Sequence, residues 1–124
     1  MANNGLTKSY NAGGAIVANS IVKAGANDWD VLQAAAATDK SVGITTEIAA
    51  ASAERVDVVQ EGIADLKLGG TVARGDLLTS DASGYGVTAA PAGGSNNRII
   101  GVAMISGVSG DIIPVQIAQS MLQG

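Results

Sequence analysis

The stretch Arg55-Val56-Asp57-Val58-Val59-Gln60-Glu61-Gly62-Ile63-Ala64-Asp65-Leu66-Lys67-Leu68 decides the fold. Arg55–Val59 alternates polar and apolar side chains, and Ile63–Leu68 does so again. Period two is the signature of a strand with one buried face, so Val56 and Val58 share a face opposite Asp57. Ile63 is one register step away from Leu66 and Leu68, which predicts a bulge or bend at Gly62.

The same grammar runs outward in both directions. Short runs rich in Val, Ile and Thr predict strands at 15–19, 21–23, 31–35, 42–46, 55–60, 63–68, 77–80, 86–89, 99–105 and 112–118. Seventeen glycines and only two prolines separate these runs. Gly75-Asp76 and Ser83-Gly84 supply the turn chemistry that hairpins need. Ile48–Glu54 and Ala34–Ala37 carry some helix propensity, enough for one or two helical turns at most. The expected fold is all-β: a small barrel or sandwich of eight to ten short strands. The expected organisation is an N-terminal arm, residues 1–11, followed by a single β domain, residues 12–124.

The two halves read alike, which predicts an internal pseudo-repeat. Ile21–Gly25 is set against Thr71–Gly75, and Val31–Ala35 against Val87–Ala90. Val42-Gly43-Ile44 is set against Ile100-Gly101-Val102, and Val56–Val58 against Ile112–Val115.

Composition excludes much chemistry. There is no Cys and no His, so a thiolate nucleophile, a Ser-His dyad and an imidazole or thiolate metal site are all out of reach. Disulfides are impossible, which leaves the redox compartment open. The net charge of −4 and the lack of a basic cluster argue against nucleic acid. No apolar run approaches the roughly 20 residues of a membrane span, and the opening residues have no apolar signal core.

The remaining motifs reduce to structure. Gly84-Tyr85-Gly86 lacks the following helix that a phosphate cradle requires, and reads as a hairpin turn. Asp28, Asp30, Asp76 and Asp81 fall short of the six or more ordered oxygens of a calcium site, and read as turn carboxylates. Lys67 could be a swinging-arm lysine, but its place late in a strand favours a solvent-facing side chain. Arg74-Gly75-Asp76 matches an adhesion tripeptide on a turn where Gly and Asp are expected anyway. No catalytic constellation, cofactor site or metal site emerges.

Trp29 and Tyr10 are two of only three aromatic residues in a core otherwise built from Ala, Val, Ile and Leu. Lone tryptophans are often interface anchors. In the arm, Leu6, Lys8 and Tyr10 are the side chains able to grip a partner. Leu6, Lys8, Tyr10 and Trp29 are therefore the candidate interface residues. The arm has too little apolar surface to order itself, so it is expected to be mobile until it meets a neighbouring subunit or partner.

The segment Gly62–Gly84, with its Gly75-Asp76-Leu77-Leu78-Thr79-Ser80-Asp81 block, resembles the capsid cement, or head decoration, proteins of tailed bacteriophages. Ile100–Met104 and Gly110–Val115 extend that resemblance, which covers about residues 12–118. It implies a non-enzymatic virion protein, made in the host cytoplasm and placed on the capsid exterior. It further implies a homotrimer whose partner is the major capsid protein, clamping neighbouring shell subunits. The alternative is a non-catalytic adhesion or carbohydrate-binding module of a phage fibre or cell surface, against which the shortage of aromatic platforms counts.

Overall fold

The computed structural model describes residues 3–124, which form nine strands and, among the described residues, no helix. They are β1 (Asn3–Ala12), β2 (Ile21–Ala24), β3 (Asp30–Gln33), β4 (Ser41–Thr45), β5 (Arg55–Lys67), β6 (Leu77–Ser80), β7 (Gly86–Thr88), β8 (Asn96–Ala103) and β9 (Ile112–Gln123). The hydrogen-bonded order is β1-β3-β2-β4-β5-β9-β8-β6-β7, and β1 also pairs with β5. That extra pairing closes β1, β3, β2, β4 and β5 into a five-stranded barrel. The remaining strands continue outward from β5, and a parallel bridge from Leu68 to Gly86 brings β7 back to the end of β5.

The all-β expectation and the strand count hold. Some boundaries move. Residues 55–60 and 63–68 form one strand, β5, running through Gly62 at φ +89°. Residues 15–19 form no strand, and Ile16 makes an isolated bridge to Ala50. The alanine-rich segments 34–37 and 48–54 are turns, with Ala53 at φ +71°.

One expectation is corrected. The supposed mobile arm is, from Asn3 onward, a barrel strand. β1 lies antiparallel to β5 with Thr7 opposite Val59 and Tyr10 opposite Val56, then meets β3 in parallel at Asn11–Asp30 and Ala12–Val31. The segment is ordered by backbone hydrogen bonds, which side-chain hydrophobicity does not report. Met1 and Ala2, also counted in the arm, lie outside the described residues.

The internal repeat is present in the strand pairings. β1, β3, β2, β4 and the first half of β5 correspond to the second half of β5, β7, β6, β8 and β9. Each antiparallel pairing has its counterpart, and the parallel contact of β1 with β3 matches that of Leu68 with Gly86. The bridge between Ile16 and Ala50 matches that between Val72 and Gly107. Gly43 corresponds to Gly101, and Val56 and Val58 to Ile113 and Val115, as the sequence suggested. β2, however, corresponds to Leu77–Ser80, not to Thr71–Gly75.

Each repeat has its own core. Ala12, Ile16, Val22, Val31, Val56 and Val58 fill the first, joined by half-buried Tyr10. Leu66, Leu68, Val72, Leu78, Ile100, Ile113 and Val115 fill the second. The second cluster also takes in Ile21, Ala34, Ile44 and Val59, so it welds the two repeats together. Burying each Val, Leu or Ile contributes about 1.5–3 kcal/mol relative to exposure.

Five of the acidic residues are turn chemistry. Glu54 accepts the Ala51 N–H, Asp76 that of Ala73, Asp111 that of Val108, and Asp81 those of Ser83 and Tyr85. Asp39 pins the 34–40 turn by accepting from Ala35 and Ala36 and pairing with Lys23 at 3.3 Å. Such side-chain acceptors replace the ladder bonds that a turn gives up.

Two predictions follow from this packing. A Cβ at Gly43 would run into the Val59 carbonyl oxygen and sit 2.6 Å from Val58 Cγ1, whereas one at Gly93 meets nothing within 4 Å. Gly43→Ala is expected to cost about 1–3 kcal/mol in urea unfolding, and Gly93→Ala to stay within about 0.5 kcal/mol. Burial raises the Asp39 carboxyl pKa, but the Ala35 N–H, the Lys23 ammonium and the Ala36 N–H together hold it below its ordinary 3.8. Its folded value lies below its unfolded one. Its stabilisation is therefore full above pH 3.8 and is lost as pH falls through the folded value. Asp39→Asn should flatten the loss of stability as pH falls below 3.8, read from urea midpoints on the acid side.

Candidate interaction surface

At one end of the first barrel, three of the four sequence candidates converge. The Lys8 ammonium lies 4.5 Å from the centre of the Trp29 ring and 5.5 Å from that of Tyr10. Lys8 and Tyr10 are two apart on β1 and so share a face. Trp29 reaches them because β3 runs parallel to the end of β1, and the Asn11 N–H donates to the Trp29 carbonyl at 2.8 Å. Chain positions almost twenty residues apart thus meet through one parallel contact.

The three residues differ in attachment. The Tyr10 ring is half-buried against the first core, and its hydroxyl accepts from Gln60 Nε2 at 2.8 Å. Trp29 is 60% exposed. An exposed tryptophan held by a cation is a large, rigid apolar surface whose ordering cost is already met. Leu6, the fourth candidate, is also exposed. It lies earlier in β1 opposite Glu61, with a register shift on either side, the second of which separates it from Lys8. Sequence reading missed Gln60, a polar residue near the middle of β5 with no signal of its partner.

A second surface is a cleft of about 490 Å³ between the repeats, lined by Asn19, Thr46, Glu47, Ile48, Asp57 and Asp65 among others. Asn19 Nδ2 donates to the Asp65 carbonyl, the Lys67 N–H donates to the Asn19 carbonyl, and Ser9 Oγ donates to Asp57. Lys67 stands 5.1 Å from the Tyr85 ring centre, a strand lysine beside an aromatic face. Arg74, Gly75 and Asp76 form a turn in which Asp76 accepts from Ala73 and from Thr88 Oγ1. Among the described residues, no group of three or more acidic side chains is placed to hold a metal ion.

No family model matches the chain, and no curated protein sequence matches it. Among solved structures it is similar to the head fiber gp8.5 N base of bacteriophage phi29. The TM-score is 0.69 at 17% identity, covering 96% of this chain and 98% of that one. At this identity the likeness is one of fold, and it spans both repeats.

The geometry separates scaffold from surface. Tyr10→Ala is expected to cost about 2–4 kcal/mol, below the full-core range because the ring is only half-buried. Trp29→Ala should cost at most about 1 kcal/mol. Urea unfolding of dilute protein, followed by far-ultraviolet circular dichroism, measures both.

Proposed function

We propose that this chain is a structural component of a phage head. It binds the outer surface of the mature capsid and stabilises the shell by clamping neighbouring copies of the major capsid protein. The observation that carries this reading is the fold shared, over nearly the whole of both chains, with the base of a phage head fibre. The resemblance of Gly62–Gly84, Ile100–Met104 and Gly110–Val115 to cement proteins supports the same reading independently.

The chemistry suits the role. Without Cys or His the chain has no thiolate nucleophile and no imidazole proton shuttle. Tight acid-capped turns and a closed barrel make a rigid unit, and a rigid unit loses little entropy on binding. Many copies on a lattice turn weak single contacts into firm attachment. The working form is a homotrimer, with Leu6, Lys8, Tyr10 and Trp29 at its contacts with the shell or with other copies.

Purified chain added to expanded capsids of its own phage should co-sediment at a fixed ratio to the major capsid protein and raise the capsid melting temperature. Light scattering should give a mass three times that of one chain. Capsids that melt at the same temperature with and without the protein, and no co-sedimentation, would refute the capsid role.

A further inference from the structure

We propose that the Lys8–Tyr10–Trp29–Gln60 patch of one copy docks on the Leu77–Val102–Gln116 row of another. The contact repeats, between chains, the one that joins the two repeats within a chain. This rests on the self-association proposed above and specifies the surfaces that make it.

The internal contact supplies the template. In the first repeat Ile21 stands opposite Ile44, and Ile44 opposite Val59, so the three form one row across β2, β4 and β5. Ala34 extends that row, its N–H donating to the Ile21 carbonyl. All four are shut from solvent, at 0–2% exposure. They are buried by the second repeat, because they share one core with Ala64 and Leu66 and pack with Ile117. The Ile21 N–H also donates to the Gly84 carbonyl at 2.8 Å.

The second repeat carries the same row. Leu77 stands opposite Val102, and Val102 opposite Gln116, with the Ala89 N–H donating to the Leu77 carbonyl. Here the row is open. Leu77 is 36% exposed, Gln116 is exposed, and Val102 and Ala89 are half-buried.

The covering residues have counterparts too. Strand correspondence maps Ala64 onto Lys8, Leu66 onto Tyr10, Gly84 onto Trp29 and Ile117 onto Gln60. Those four first-repeat residues form the patch already described. Each chain therefore contains one completed contact of this type and both unused halves of a second.

The substitutions between used and unused halves are of one kind. Gln116 stands where the buried row has Val59, and Gln60 where the cover has half-buried Ile117. An amide on each side keeps both surfaces soluble in the free subunit and lets them hydrogen-bond when joined. Trp29, replacing Gly84, supplies the apolar anchor. Because the two halves are different surfaces, the contact is head-to-tail, and it closes into a ring when the rotation per copy permits.

The test uses the full chain and two variants, Trp29→Asp on the patch and Leu77→Asp on the row, each first checked for a native circular dichroism spectrum. If Leu77→Asp fails to fold, Gln116→Arg on the same exposed row replaces it. Sedimentation velocity should show the parent chain as a closed oligomer and each variant alone as a monomer. An equimolar mixture of the two variants should give a heterodimer and nothing larger, since only one patch and one row remain intact. A parent chain that stays monomeric, a variant that assembles like the parent, or a mixture no heavier than its parts would overturn the proposal. Capsid co-sedimentation of the parent chain is scored separately. Assembly without capsid binding overturns the capsid role alone, and capsid binding by a strictly monomeric chain overturns this contact and the trimer while leaving the capsid role standing.

Discussion

A single thirteen-residue strand, β5, belongs to both repeats, and the rest of the structure hangs on it. It pairs with β1 and β4 through its first half and with β9 through its second, and Leu68 just beyond it bridges to β7. Its side chains must therefore serve two cores. Val56 and Val58 enter the first, while Val59, Ala64 and Leu66 join the second. Strict alternation would put Ala64 and Leu66 on the side of Val56 and Val58. The change of allegiance falls across Gly62, whose φ of +89° is one that glycine adopts without strain.

A core made of small aliphatic side chains is thin, and here the strands come close enough to make it sufficient. Gly43 and Gly101, in corresponding central strands, each face a carbonyl oxygen of the next strand, Val59 and Gln116 respectively. The approach leaves no room for a Cβ. Spacing of that kind is what lets Val, Ile and Ala fill a barrel without aromatic help. The acidic balance has a local cause as well: the carboxylates hold turns together at the same corners of both repeats, Glu54 matching Asp111.

Repetition within a chain makes an internal interface, and an internal interface leaves one unmatched surface at each end. In the first repeat the end is aromatic and cationic; in the second it is a partly open aliphatic row. A subunit with two such unlike ends suits ordered arrays, where rigid units meet through the same contact many times.

The sequence by itself determined the all-β class, because period-two alternation and closely spaced glycines are local signals that each strand carries independently. It also pointed to Gly62 as a break, to Gly43 and Gly101 as equivalent positions, and to Leu6, Lys8, Tyr10 and Trp29 as candidate interface residues, since so few large side chains compete for that role. The tertiary structure alone decided that β1 is a barrel strand. Eight of its residues are in register with β5, and that ladder is made of backbone groups every residue possesses, so polar Asn, Ser and Thr side chains gave no sign of it. It alone brought Trp29 over Lys8, through a parallel pairing between segments nearly twenty residues apart. And it alone distinguished the buried row Ile21–Ile44–Val59 from its open counterpart Leu77–Val102–Gln116. Burial is a property of what lies across a surface, and nothing in a strand's own residues records which neighbour will cover it.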